Sequence, residues 1–172
     1  MKNTVKPKNQ ERKMRDTDFI VSKTNTKGII TYANNIFYEF SAYNEQQSLG
    51  KQHNLIRHPD MPRGTFQLLW DTINQGNEFN AYVKNMSQDG SFYWVFANIT
   101  PSFDQDNKIR GYFSVRRKPS QSAVNIISPI YQEMLALEKK SQKKDATATS
   151  IQFLSDKLKS LGTSYEQFVL SI

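Results

Sequence analysis

Apolar residues recur with two periods along this chain, and the points where the period changes divide it into elements. Phe19-Ile-Val-Ser22 and Ile29-Ile-Thr-Tyr32 are short strand candidates. Thr26-Lys-Gly28 lies between them, with Gly28 tolerating positive φ, so the two should pair as a hairpin. Asn34 then reads as a helix N-cap, followed by Ile36, Phe37, Phe40 and Tyr43 at helical spacing. Glu45 to Leu49 is a short helical turn stopped by Gly50. His53 to Pro62 is irregular, because Pro59 and Pro62 block a long helix. Phe66, Leu69, Trp70 and Ile73 mark another amphipathic helix that ends at Gly76. Three strand candidates follow: Phe79 to Met86, Phe92 to Thr100 and Lys108 to Arg117. Asp89-Gly90 provides the first hairpin between them, and Pro119 ends the pattern.

The order is β-β-α-α-α-β-β-β. Hairpin-joined strands at both ends predict an α+β architecture, with a five-stranded antiparallel sheet and its helices grouped on one face. Helices packed across one sheet face leave a pocket between the layers, where a small ligand would sit. Residues 17–119 form this domain. Residues 120–172 read as a C-terminal helical extension, with Ile126, Ile127, Ile130, Met134, Leu135 and Leu137 on one stripe. Leu154, Leu158 and Leu161 lie on another, and Tyr165, Phe168 and Val169 come after Gly162. Ser141 to Ser150 is a polar linker or a solvated helix. These apolar faces need something to dock on: the sheet, each other or a second subunit.

Composition narrows the chemistry. There is no cysteine among 172 residues, which excludes a disulfide framework, a zinc-thiolate site, a thiol nucleophile and a cysteinyl-flavin adduct. No stretch approaches the roughly 18 apolar residues of a membrane span, and the N-terminus lacks the apolar centre of a signal peptide. The expectation is a soluble, cytoplasmic protein. The formal net charge of +7 resides in two segments: residues 1–16 contribute six Lys/Arg against two acids, and residues 138–144 four Lys against one Glu. Residues 1–16 read as a disordered basic arm, and the second block as a solvated helix end. A groove-reading nucleic-acid domain would carry its excess charge on the folded face, so nucleic acid is not an expected partner. An acidic partner or an anionic membrane surface is the alternative reading of the two blocks.

Several motifs together resemble the PAS sensor domain of bacterial aerotaxis receptors. They are Thr31-Tyr-Ala-Asn34, His53-Asn-Leu-Ile-Arg-His-Pro-Asp-Met-Pro62, Trp70, Val83-Lys-Asn85, Asp89-Gly90, Tyr93-Trp94 and Gly111-Tyr112. Arg57-His-Pro-Asp-Met-Pro62 is the most restricted of them. The resemblance covers about 100 residues and implies a PAS fold, a noncovalent FAD and a role in sensing cellular redox or oxygen state. It further implies that the segment matching His53 to Asp60, the helix of Trp70 and the strand of Asn85 line the flavin cleft.

The chemistry of these side chains is compatible with that. Arg57 can give charge-assisted hydrogen bonds to a pyrophosphate or a carboxylate. His58 and Asp60 can orient the loop or bond a ribose. Asn85 offers both a donor and an acceptor, as the edge of an isoalloxazine ring does, and Asn is depleted in strands. Trp70 and Phe79 can wall a ring by stacking. His53 and Asn34 complete the expected cofactor-binding set. Structural readings stand beside these: Arg57, His58 and Asp60 as a salt-bridged loop cap, Trp70 as core, Asn34 as a helix cap. Strand alternation from Tyr112 points Arg116 inward, towards the flavin, with a solvent-facing placement equally open. Haem is disfavoured, because the helix from about Arg63 to Gln75 has no histidine.

No Gly-rich phosphate loop, Ser/His/Asp arrangement or metal-ligand cluster is present, so the expectation is a sensor and not an enzyme. Aerotaxis receptors continue into a membrane anchor and a signalling coiled coil. This chain reaches Ile172 with neither, so a stand-alone sensor working with a separate membrane-bound chemoreceptor-type protein is expected, with a homodimer as another assembly. The competing class is a cofactor-free PAS module for protein–protein interaction or dimerisation.

Overall fold

A computed structural model describes residues 5–172. Five strands form one antiparallel sheet in the order β2-β1-β5-β4-β3: β1 Ile20–Asn25, β2 Ile30–Ala33, β3 Phe79–Met86, β4 Phe92–Phe103 and β5 Ile109–Arg117. Between β2 and β3 come α1 Asn35–Ser41, α2 Glu45–Ser48, a single 3₁₀ turn at His53–Ile56, and α3 Arg63–Ile73. The α+β sheet expected from the pattern is therefore present, with β1 and β4 each running a few residues longer at their C-terminal ends.

Register decides which side chains meet. Ser22 stands opposite Ser114, Val83 opposite Val95 and Ala97 opposite Arg116. With period-two alternation, Ser22, Thr24, Val83, Asn85, Ala97, Ile99, Tyr112, Ser114 and Arg116 share the face turned to the helices. Ile20, Phe37, Ile56, Met61, Ile73 and Val95 are fully buried between the two layers.

The chain after β5 forms α4 Gln121–Lys140, α5 Ala146–Ser160 and α6 Tyr165–Ser171. The polar stretch expected at Ser141 to Ser150 is thus half linker and half the first turn of α5. Tyr131 of α4 stacks against Trp94 on the outer face of the sheet, with centroids 6.5 Å apart, and donates its hydroxyl to the Tyr82 carbonyl at 2.9 Å. Since β3 is an edge strand, that carbonyl has no partner strand to pair with. Further along, Glu138 accepts from the backbone N–H groups of Arg63 and Gly64, each at 3.0 Å, and from the Ser150 hydroxyl at 2.7 Å. A carboxylate at the first turn of α3 satisfies donors that the helix itself cannot. The extension therefore wraps round the β3 edge, from the outer face of the sheet to the N-terminus of α3.

Residues 1–4 of the expected basic arm lie outside the described residues, and residues 5–16 pack on the domain. Their backbone bonds the β3–β4 hairpin through Lys8 N–H to the Gly90 carbonyl and Arg12 N–H to the Phe92 carbonyl, both 2.7 Å. The Arg12 guanidinium donates to the Glu39 and Phe40 carbonyls, at 2.7 and 3.0 Å, where α1 ends with unpaired acceptors. Met14 is buried. Charge density suggested a solvated tail, but the Arg12 guanidinium finds carbonyl groups and Arg15 pairs with Asp18 at 2.8 Å.

Candidate functional site

A cavity of about 220 Å³ lies between the sheet and the helices. Its helical wall consists of Phe66, Leu69, Trp70 and Ile73 from α3, together with His53, Ile56 and Arg57 from the 3₁₀ turn and the residue after it. The sheet supplies Thr24, Val83, Asn85, Ala97, Ile99, Tyr112, Ser114 and Arg116. Spacing explains the helical wall: Phe66, Leu69, Trp70 and Ile73 recur at three and four residues, the apolar stripe of one helix face. The β1–β2 turn closes a further side. Gly28 there has φ of 74°, and a Cβ would lie 3.1 Å from the Trp70 ring, so both turn and packing require glycine. Trp70 also meets Tyr112 edge-on at 5.5 Å.

At one end of the cavity is a buried polar cluster. Arg116 is 5% exposed, and Ser22 is fully enclosed. Arg116 Nη2 donates to Ser22 Oγ at 3.0 Å and to His53 Nε2 at 2.8 Å. Ser22 Oγ lies 3.0 Å from the same Nε2. A guanidinium can only donate, so His53 Nε2 is the acceptor and the ring proton resides on Nδ1. Burial and the neighbouring Arg116 charge push His53 down to about 3, so the ring stays neutral. Burial also lowers Arg116, to about 10, which leaves it charged at neutral pH. No carboxylate among the described residues pairs with it.

This cluster is short of acceptors. One Nε2 lone pair faces two donors. Arg116 Nη1 has no partner, and neither has Asn85 Nδ2 or Ser114 Oγ. Buried polar groups of this kind are otherwise nearly always paired, since each unmet one costs about 1–3 kcal/mol. A ligand presenting acceptors along one edge of a flat ring, with apolar faces against Phe66 and Trp70, fits this inventory. The volume lies below the roughly 300–1,000 Å³ of pockets that enclose whole ligands. It suits a ring system and not an entire dinucleotide, whose other half would extend through the mouth.

The expected site residues divide accordingly. His53, Arg57, Trp70 and Asn85 line the cavity; His58, Asp60, Phe79 and Asn34 do not. Asn34 caps α1, accepting from Phe37 N–H, and ties it to β1 through Val21 N–H and the Phe19 carbonyl. Phe79 stacks on Tyr165 of α6 at 5.1 Å. His58 and Asp60 belong to a closed loop network. His58 Nδ1 accepts from Asp60 N–H at 3.1 Å, and Asp60 pairs with Lys84 at 2.7 Å. Burial and the Lys84 charge hold His58 down to about 4. Asp60 lies below its ordinary value: burial pushes it up, but the Lys84 hydrogen bond and nearby positive charges outweigh that. Arg57 donates to the Met61 carbonyl at 2.9 Å and lies 4.2 Å above the Phe66 ring. It reaches the cavity as the outer layer of an aromatic wall.

Sequence reasoning did not single out Ser22 or Ser114, and it left Arg116 open. The only signal was alternation: Tyr112, Ser114 and Arg116 form one inward row, and Ser22 pairs with Ser114 across the ladder.

Comparison with known proteins identifies the fold family. The family model described as the PAS fold matches residues 30–116. The aerotaxis receptor of Escherichia coli is 35% identical over 127 residues, 74% of this chain. The chain spans a quarter of that receptor's length. Among solved structures, the light state of the blue-light photoreceptor Aureochrome1 LOV superposes with a TM-score of 0.57 at 20% identity, over 66% of this chain and 90% of that one. A light-oxygen-voltage domain studied with a flavin analogue gives 0.57 at 19% identity, over 67% and 86%.

Proposed function

The chain belongs to the PAS fold family, and on that premise we propose that it is a cytoplasmic FAD-binding redox or oxygen sensor acting in aerotaxis or energy taxis, and not an enzyme. The observation that carries this reading is the acceptor-poor wall of the cavity, where Asn85 Nδ2, Ser114 Oγ and Arg116 Nη1 are unpaired opposite an aromatic helix face. The similarity to an aerotaxis receptor and the flavin analogue of a structural neighbour support flavin as the ligand. When bound, FAD supplies a ring that exchanges electrons at a potential its surroundings set. Trp70, Phe66 and Leu69 keep water from that ring, and Asn85 orients its edge. His53, neutral and fixed by Arg116, holds its proton on Nδ1.

A change at the cavity has two short routes outward. Arg116 is two residues from Lys118, and Ser120 already caps α4. On the opposite wall, α3 begins at the two N–H groups that Glu138 of α4 holds. Both routes end on the helical extension, which would then present the signal to a membrane-bound chemoreceptor-type partner. A few kcal/mol of differential contact between two arrangements suffices for such a switch. Among the described residues, no helix is long and apolar enough to cross a membrane.

A second reading, a cofactor-free module for interaction or dimerisation, draws on the uncovered outer face of β1 and β2, where Tyr32 is 46% exposed beside Lys23. A visible spectrum separates the two. Purified protein supplemented with FAD and desalted should be yellow and release FAD on heating. Colourless protein that stays folded would favour the interaction module.

A further inference from the structure

The formal charge of +7 resides in residues 1–16 and 138–144, two segments far apart in sequence. The fold brings their described parts to one surface. Lys8 N–H bonds the Gly90 carbonyl and Arg12 N–H the Phe92 carbonyl, so the arm lies on the β3–β4 hairpin. The Lys84 ammonium stands over the Phe92 ring at 4.3 Å and pairs with Asp60 at 2.7 Å. Asp60 is also within electrostatic reach of Lys139. Lys139 follows Glu138, whose carboxylate bonds the first N–H groups of α3. The turn between α4 and α5 therefore stands beside the loop that Lys84 ties to the hairpin.

Lys6, Lys8, Lys139, Lys140, Lys143 and Lys144 are all exposed. Among the described residues, none of them forms an ion pair. Of the exposed acids on the same segments, Asp16 pairs with Lys118, Asp60 with Lys84, and Asp89 accepts from the Ser91 hydroxyl. That leaves Glu11 and Asp145 to offset the lysines. What such a surface can hold follows from what it lacks. Protein interfaces are depleted in lysine and centre on aromatic or apolar anchors. Among the described residues, the arm, the hairpin and the α4–α5 turn expose no large apolar side chain; Phe103, Ile126 and Leu161 stand towards the far ends of β4, α4 and α5. Single-stranded nucleic acid is held by exposed rings that stack its bases, and these are missing here too. A lysine is a point charge on a flexible stem and needs no fixed geometry in its partner, so a cluster of this kind suits a flat anionic surface.

We propose that these lysines form one electrostatic contact for the anionic face of a lipid bilayer, with phospholipid headgroups against the arm and the α4–α5 turn. This goes beyond the flavin reading and does not rest on it, since none of the six lines the cavity. With no apolar side chain to insert, the contact is reversible and sensitive to salt. It brings the chain to the surface in which a membrane-bound partner lies.

Binding of the full chain is measured by co-sedimentation with vesicles of equal parts phosphatidylglycerol and phosphatidylcholine, and with phosphatidylcholine alone. The mixed vesicles should bind at least tenfold more tightly, and sodium chloride should release the protein. Each lysine at an anionic surface is worth about fivefold in affinity, so Lys6→Gln with Lys8→Gln, and Lys143→Gln with Lys144→Gln, should each weaken binding roughly 25-fold. Lys27→Gln with Lys51→Gln makes the same change in net charge at the β1–β2 turn and should stay within about threefold of wild type. All the substituted side chains are exposed, so circular dichroism should show every variant folded. Equal losses in the three pairs would reduce the effect to net charge and overturn the proposal. A loss from only one of the two basic segments would break the single surface and overturn it too. Failure to bind the mixed vesicles overturns it outright, as does tighter binding to a DNA duplex than to those vesicles. None of these outcomes touches the flavin reading, which the visible spectrum tests separately.

Discussion

Two polar clusters, one in the loop after the 3₁₀ turn and one spread over β1, the 3₁₀ turn, β3 and β5, could hardly be more different. The loop from Arg57 to Pro62 is complete: His58, Asp60, Lys84, Arg57 and the Met61 carbonyl bond one another, and none of its buried side-chain nitrogen or oxygen atoms is unpaired. The cluster of Ser22, His53, Arg116, Ser114 and Asn85 is incomplete, with donors that outnumber acceptors. A closed network stabilises a fold. An open one at a cavity leaves donors that the proposed flavin would meet. On that reading, the most distinctive motif in the sequence holds the wall in place, and the ligand chemistry would belong mostly to residues that look ordinary in sequence.

The sharpest way to break this contrast is to damage the loop without touching the cavity. His58→Ala removes a buried ring and strands Asp60 N–H, so folding stability should fall by about 2–4 kcal/mol in urea melts of FAD-free protein. Where that variant remains folded, FAD affinity should stay within a few-fold of wild type; a large loss of affinity in folded protein would move His58 into the site.

Glu138→Ala tests whether the extension supports the same wall. It leaves two N–H groups of α3 and the Ser150 hydroxyl without their acceptor, at a cost of about 1–3 kcal/mol. Helices α4 and α5 should exchange amide hydrogens faster, and unchanged exchange would show that the cap is not what docks them.

Acid should weaken the protein through both clusters. His53 and His58 have folded values of about 3 and about 4, below the ordinary 6.5, so the unfolded chain binds more protons between those limits. Their contribution is fully present above pH 6.5 and is lost as the pH falls towards 4 and then 3. His53→Gln should remove about half of that slope above pH 4. An unchanged slope would mean that His53 is charged in the folded protein.

The smallest effect belongs to Asp60→Asn. Asp60 is 59% exposed, so the loss of its Lys84 pair should cost less than about 1 kcal/mol and shrink further in salt.

Much of the fold was legible because hydrophobic period and turn chemistry agree. Phe79 to Met86 was bounded correctly at both ends, since Asp89-Gly90 fixes the hairpin after it. The wall of α3 was legible for the same reason, and Trp70 and Asn85 line the cavity as expected. Other parts depended on tertiary placement. Phe79 carries an aromatic ring at the right end of the right strand, but α6 folds back to cover it. Residues 5–16 are as charged as a free tail, yet their partners include carbonyl groups at the end of α1 and on the β3–β4 hairpin, which no local pattern announces. Arg116 turned on a single question of strand parity, settled by pairing with β1 and β4.

The contrast between the clusters is tested most directly by titrating FAD into folded apo-protein, wild type beside Asn85→Ala, with fluorescence quenching as the readout and urea melts of the same samples. The account predicts at least a tenfold loss of affinity in Asn85→Ala, about 1.4 kcal/mol, with apo stability changed by less than about 1 kcal/mol. Equal affinity in the two proteins would contradict it.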